Sequence, residues 1–76
     1  MPEEREYGVQ PIEARMNELG LANHDLVAAS TEQLTHKMVA KARRGRWLSS
    51  TVRQKILRAW NKATQRTDSL ADLFNY

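Results

Sequence analysis

Apolar residues recur at helical spacing in several short stretches of the chain, separated by glycine, serine and threonine. The first stretch has Ile12, Met16 and Leu19 at i, i+4 and i+7, which is the stripe of an amphipathic helix. Pro11 suits the first turn of a helix and Gly20 suits a position just past its end. The pattern therefore predicts a first helix that starts at the proline and ends at the glycine.

A second, two-turn helix is predicted to open at Ala22 or Asn23 and to end before Ser30. Its inward positions are Leu26, Val27, Ala29 and, with less support from the spacing, Ala28.

The third predicted helix is capped by Thr31 or Thr35 and stopped by Gly45, with strong helix formers over residues 35–44. Its two sides differ sharply when they are projected at 100° per residue. Met38, Val39 and Ala42 face the core, and the opposite side carries His36, Lys37, Ala40, Lys41 and Arg44.

Two more helices follow, and no stretch shows the alternation of a strand. Ser49 is a good N-cap for a fourth helix, whose inner face is Val52, Ile56, Ala59, Trp60 and Ala63. Asp68 or Ser69 caps a short fifth helix with Leu70, Leu73 and Phe74 facing inward. We therefore expect an all-α fold, a compact bundle of four to five short helices.

Composition limits what else the chain can be. It has 76 residues and no cysteine, so it holds one small core without disulfides or thiolate metal sites. Residues 1–9 are acidic and lack periodicity, which predicts a mobile arm before a domain spanning residues 10–76. No signal peptide or membrane span is recognisable, and we expect a cytoplasmic protein.

Charge is distributed very unevenly along the chain. Between Lys37 and Arg66 there are ten lysines and arginines and no aspartate or glutamate, although the net charge of the whole chain is only +3. Such a block produces a strongly positive local field, for which nucleic acid is the most abundant cytoplasmic partner. A solvated basic surface is the alternative explanation.

The order of these elements resembles the lambda repressor and Cro type of helix-turn-helix domain, also called the XRE type. Leu19-Gly20-Leu21 looks like that family's end of helix one, and Leu26 looks like its buried leucine in helix two. Residues 34–45 follow the register of its recognition helix, and residues 69–74 are similar to its fifth helix. The resemblance covers residues 11–74 and implies a lambda repressor-like fold.

Three features depart from the family pattern and suggest a variant subfamily. The segment Ser30 to Leu34 is about two residues longer than the usual turn, and Thr31 stands at the usual glycine position. Arg43 stands where the family commonly has glutamate, which replaces one partner of an internal ion pair by a cation.

The resemblance implies that the third helix, about residues 35–44, enters the major groove of DNA. Thr35, His36, Lys37 and Lys41 would face base edges, and Asn23 would contact a phosphate unless it only caps its helix. Arg44 and Arg46 would hold phosphates, and Arg43 would join them or cap a carbonyl. The full set of predicted DNA-binding residues is Asn23, Thr35, His36, Lys37, Lys41, Arg43, Arg44 and Arg46.

The sequence thus favours sequence-selective binding of double-stranded DNA by a transcriptional regulator. Its alternatives are a small protein-interaction adaptor and an RNA-binding module. We expect no enzymatic activity, cofactor, metal site or small-molecule pocket, because nucleophile–base spacing and phosphate loops are absent and His24 and His36 are the only histidines. The family also implies a possible homodimer, for which Leu73, Phe74 and Tyr76 are candidates unless they close the core. Trp47 and Trp60 are expected in or at the edge of the core rather than as base-stacking platforms, with the alternatives for Trp47, in its connector, that it packs under the loop or lies against a partner.

Overall fold

A computed structural model describes residues 7–76, which form five α-helices and no β-strand. The helices are α1 (Pro11–Leu19), α2 (Asn23–Ala29), α3 (His36–Arg44), α4 (Ser50–Thr64) and α5 (Leu70–Leu73). The predicted all-α class is confirmed, and the predicted helix boundaries agree within about one residue. None of these helices, within the part of the chain described, has the length and apolar character needed to cross a membrane.

Local hydrogen bonds explain where the helices start. The Thr35 hydroxyl accepts from the Met38 amide at 3.1 Å, and the Ser49 hydroxyl accepts from the Val52 amide at 3.4 Å. Each of these contacts satisfies an amide that has no partner inside its helix. Of the alternatives left open by the sequence, Thr35 caps α3, and Ser69 stands at the N-cap of α5.

One core occupies the centre of the bundle, with α4 packed on α2, α3 and α5, and α1 packed on α3 and α5. The predicted inward residues Val39, Ile56 and Trp60 are fully buried. Leu34 and Leu48, which lie outside the helices, also belong to the core although the helical pattern does not predict them. The complete buried apolar set is Ile12, Met16, Leu26, Leu34, Val39, Ala42, Leu48, Ile56, Ala59, Trp60, Leu73 and Phe74.

Leu19 is a wrong prediction for the core, because its side chain is 52% exposed. It is the last residue of α1, and Gly20 follows in the left-handed conformation at φ 69°. The chain then reverses, the Leu21 amide donates to the Met16 carbonyl at 2.8 Å, and Leu21 packs against the core. The turn that ends the helix thus substitutes Leu21 for Leu19.

The segment before α1 crosses the C-terminal end of α3. The Tyr7 amide donates to the Gly45 carbonyl at 2.7 Å, and Gly45 has φ +88°. A Cβ atom at position 45 would overlap the Gly8 carbonyl oxygen. Tyr7 and Gly8, which the sequence assigns to a mobile arm, are therefore in contact with the residue that ends α3. Val9 of the same predicted arm is exposed, and residues 1–6 lie outside the described residues.

Residues near the two ends of the described chain are bonded to each other. The buried Gln10 side chain donates to the Gly8 carbonyl at 2.9 Å and accepts from the Asn75 amide at 2.7 Å. The rings of Tyr7 and Tyr76 stack with centroids 4.2 Å apart. These contacts hold the segment before α1 beside the segment after α5.

Candidate nucleic-acid interface

The outer face of α3 is defined here as His36, Lys37, Ala40, Lys41 and Arg44. Val39 and Ala42 on the opposite side have no exposed surface, so they fix the rotation of the helix about its axis. His36, Lys37 and Arg44 are exposed, and Ala40 and Lys41 are partly exposed. The structure therefore brings four of the predicted DNA-binding residues together on one face.

The cations of this face differ from most others in the basic block. Lys37, Lys41 and Arg44 make no ion pair or hydrogen bond through their side chains within residues 7–76. By contrast, Arg58 pairs with Glu32 and Arg66 pairs with Asp68. Three positive charges with no intramolecular carboxylate partner among the described residues thus project from a single helix.

Arg43 points away from that face, toward α1 and the start of α2. Its guanidinium donates to the Glu13 carboxylate, to the Asn23 side-chain oxygen at 2.9 Å and to the Asn17 side-chain oxygen at 3.2 Å. The Arg43 side chain is only 19% exposed. The hydrogen bond from Arg43 holds the pKa of the Glu13 carboxyl below its ordinary value of 4.5.

Arg43, which stands where the resembling family commonly has glutamate, thus forms an internal ion pair of its own, with the acid on α1 and the base on α3. It ties α3 to the two elements that precede it. A contact from Arg43 to a phosphate stays a prediction, and it would compete with Glu13 for the same guanidinium.

Asn23 lies next to this ion pair, at the first position of α2. Ala22 occupies the N-cap, and its amide donates to the Asp25 carboxylate at 2.7 Å. Asn23 is therefore not the helix cap that the sequence allowed. Its side-chain oxygen accepts from Arg43, while its NH₂ group has no hydrogen-bond partner within residues 7–76. That donor is available to a ligand.

The long connection between α2 and α3 is held at both ends. The Ser30 hydroxyl accepts from the Glu32 amide at 3.0 Å, and the Glu32 carboxylate takes two hydrogen bonds from Arg58 of α4 at 2.6 and 2.7 Å. Leu34 anchors the other end in the core at 6% exposure. Among the described non-glycine residues only Gln65 has a positive φ, so Thr31 adopts ordinary backbone geometry. Residues 30–34 therefore form a loop that is fixed by the contacts of Glu32 and Leu34.

An open groove of about 320 Å³ runs beside α3. It separates the outer face of α3 from the segment before α1 and from the start of α2. Its lining residues are Val9, Glu13, Asn23, Ala40, Arg43 and Arg44. Arg44 and the NH₂ group of Asn23 therefore border the same concave surface.

The connector between α3 and α4 carries the last two residues of interest. Arg46 is partly buried; its amide donates to the Lys41 carbonyl at 3.1 Å and its carbonyl accepts from the Tyr76 hydroxyl at 3.0 Å. Trp47 is 52% exposed and is not part of the core, so the expected core position is wrong, while a contact with a partner stays a prediction. Trp60 is buried as expected, and its indole N–H donates to Asp68 at 2.7 Å.

The residues considered for a dimer interface are used by the fold. Leu73 and Phe74 are buried in the core, and Tyr76 stacks on Tyr7. The sequence left open whether they close the bundle, and within the described residues the first two do so.

Sequence reasoning missed the partners that position this interface, namely Glu13, Asn17 and the Glu32–Arg58 pair. Their signal is weak because each is an ordinary polar residue on a helix surface or in a loop. Among residues 7–76 there is no cluster of three histidine, aspartate or glutamate side chains that could hold a metal ion. No protein-family model, curated protein or solved structure matches this chain.

Proposed function

We propose that this protein binds double-stranded DNA with sequence selectivity through α3, as a transcriptional regulator that acts in the cytoplasm. The observation that carries the proposal is the outer face of α3, where Lys37, Lys41 and Arg44 project without a carboxylate partner among the described residues. Binding to phosphates would supply the counter-charge that the fold leaves out.

The dimensions of an α-helix suit this role. A helix with its side chains is about 10–12 Å across, and the major groove of B-DNA is about 12 Å wide. Lys37 and Lys41 stand one turn apart near the start and middle of α3, where side chains reach base edges. Lysine donates to guanine O6 and N7, and His36 and the Thr35 hydroxyl can donate or accept as the base requires.

Contacts to the DNA backbone would fix the helix in its groove. Arg44 is exposed at the end of α3, and the NH₂ group of Asn23 lies across the groove beside it. A cation and an amide donor that flank a recognition helix set its register on phosphates without reading sequence. Arg43 supports this arrangement indirectly, because its bond to Glu13 braces α3.

Selection from a pool of randomised duplexes at near-physiological salt tests the proposal. The purified protein is expected to enrich a motif, and an inverted repeat with half-sites about 10 bp apart or a multiple of it would indicate binding as a homodimer. A pool that stays unenriched, with weak binding that disappears as salt is added, would contradict sequence selectivity.

Competition separates DNA from the other ligands that a basic surface attracts. A structured RNA is expected to compete poorly with the selected duplex, because the deep, narrow major groove of A-form RNA does not admit side chains readily. If RNA displaces the duplex at equal concentration, the major-groove mechanism is wrong.

A further inference from the structure

Trp47 is the one aromatic side chain within residues 7–76 that the fold leaves largely exposed. Its exposed fraction is 52%, against 0% for Trp60 and 2% for Phe74. Tyr7 and Tyr76 are covered by their stacking on each other. Tryptophan is enriched at binding surfaces, where a partner covers its ring and its N–H finds an acceptor, so an indole exposed in this way is a candidate contact residue.

The exposure of Trp47 does not come from a loose loop, because the residues on both sides are fixed. The Tyr76 hydroxyl donates to the Arg46 carbonyl at 3.0 Å and accepts from the Leu48 amide at 3.0 Å. The Leu48 side chain is buried, and Ser49 caps α4 directly afterwards. The backbone therefore holds the indole at a defined place.

The charges near Trp47 indicate what kind of ligand fits. Arg44 is three residues earlier, so the two Cα atoms are at most about 11 Å apart. The described carboxylates are engaged elsewhere in part, with Glu13 on Arg43 and Glu32 on Arg58, and no acid occurs in the sequence from residue 33 to residue 67. An exposed aromatic ring three residues from a cation that has no carboxylate partner within residues 7–76 fits a ligand that is both apolar and anionic.

We propose that Trp47 packs on the sugar–phosphate backbone of the bound duplex, beside the phosphates held by Arg44. This inference rests on the proposed function and adds to it a residue that determines affinity. The ring would cover the apolar face of a deoxyribose, and the indole N–H would donate to a phosphate oxygen. Because backbone contacts carry no sequence information, Trp47 would strengthen binding to all duplexes alike.

Anisotropy of a fluorescein-labelled 20-bp duplex, carrying either the selected site or its scrambled sequence, measures the effect. Trp47→Ala is expected to weaken binding to both duplexes about tenfold, the loss of one hydrogen bond to a charged phosphate. The dependence of affinity on salt should stay unchanged, because an uncharged side chain releases no counterions. Trp47→Phe should lose less than Trp47→Ala, since it keeps a ring but not the N–H donor.

Tryptophan emission of the unlabelled proteins gives a second readout that does not depend on measuring affinity. Addition of unlabelled duplex to the wild-type protein should quench the emission of Trp47. In Trp47→Phe, where only the buried Trp60 emits, the same addition should leave the emission unchanged. Circular dichroism checks that both Trp47 variants keep the helical content of the wild type.

The outcomes separate the two proposals. If the wild type binds duplex but Trp47→Ala binds equally well and the wild-type emission does not change, the role of Trp47 is wrong and DNA binding stands. If the wild type binds no duplex at all, the proposed function fails and the role of Trp47 fails with it. A reduced salt dependence in Trp47→Ala would also overturn the inference, because it would mean that the substitution acts through neighbouring charges.

Discussion

Gly45 cannot be replaced easily for two reasons, its backbone conformation and the close approach of another segment. The backbone has φ +88°, and the Gly8 carbonyl oxygen occupies the place of a Cβ atom. At Gly20 the backbone is also left-handed, at φ +69°, but no atom of another residue lies within 4 Å of a Cβ built there. Both positions therefore favour glycine for its backbone conformation, but only at Gly45 does the packing of the segment before α1 also exclude a side chain.

We expect Gly45→Ala to destabilise the protein more than Gly20→Ala does. An alanine in the left-handed conformation costs roughly 1–2 kcal/mol, and position 45 adds the displacement of the backbone at Gly8. Urea unfolding of both variants measures the difference. Equal losses at the two positions would mean that the packing of Gly8 on α3 contributes nothing to stability.

The lowered pKa of Glu13 leads to a prediction about how the stability of the protein changes at acidic pH. This pKa is lowered in the folded state by the hydrogen bond from Arg43, whereas an unfolded chain has the ordinary value of about 4.5. A lowered pKa stabilises the fold fully above the unfolded value, and this stabilisation is lost as the pH falls through the folded value. We therefore expect the free energy of unfolding to decrease below about pH 4.5.

Glu13→Gln tests that assignment. At pH 7 it should lower stability by about 1 kcal/mol and make the acid decrease shallower. Glu18→Gln is the matched control, because Glu18 is an exposed residue of the same helix with no ion pair among the described residues. If both variants show the same pH profile, the Glu13–Arg43 pair is not the cause.

At the level of elements, the helices follow from the sequence because their signals are local. Caps such as Thr35 and Ser49 and stop residues such as Gly45 act within one turn, and the apolar period marks the buried side. The loop of residues 30–34 follows less well, since Glu32 is placed by an arginine 26 residues away. The partner of Arg43 could not be predicted from the sequence for the same reason, because the contact with Glu13 depends on how α1 packs on α3.

The outer face of α3 gives the sharpest prediction at this scale. Lys37→Ala and Lys41→Ala should each weaken binding to the selected duplex by about 1–3 kcal/mol, and less to a scrambled duplex, if these side chains read bases. Lys62→Ala removes the same charge from the exposed surface of α4 and serves as the control. Competition titrations with both duplexes measure the ratio. Equal losses for all three variants would assign the effect to charge alone.

For the molecule as a whole, the basic block is much less positive than its ten cations suggest. Arg43, Arg58 and Arg66 are neutralised by carboxylates, and Arg53 donates to the Leu48 and Tyr76 carbonyls and lies over the Tyr76 ring. On the outer face of α3, Lys37, Lys41 and Arg44 keep their charge without a carboxylate partner within residues 7–76. The sequence alone could not show which cations are paired, because carboxylates such as Glu13 and Glu32 lie far along the chain from Arg43 and Arg58.

Whether a cation already has a carboxylate partner determines how much it should add to the salt dependence of the proposed DNA binding. Each phosphate neutralised contributes about −0.9 to the slope of log affinity against log salt concentration. Arg44→Ala should therefore reduce the steepness by about 0.9, on the selected and the scrambled duplex alike. Arg58→Ala provides the contrast, since its charge is already matched by Glu32 and its loss should change the slope less. Identical slopes for the wild type and Arg44→Ala would remove Arg44 from the contact.

The double hydrogen bond of the Tyr76 hydroxyl has a consequence for motion. In the connector between α3 and α4, the Leu48 amide is hydrogen-bonded to the Tyr76 side chain, which is itself stacked on Tyr7. Hydrogen exchange at Leu48 should then require opening of the whole bundle rather than of a loop, and its rate should match that of the core amides. If DNA binds beside this connector as proposed, a connector that is already ordered loses little conformational entropy on binding, so the stacked tyrosines would raise the affinity without contacting the DNA.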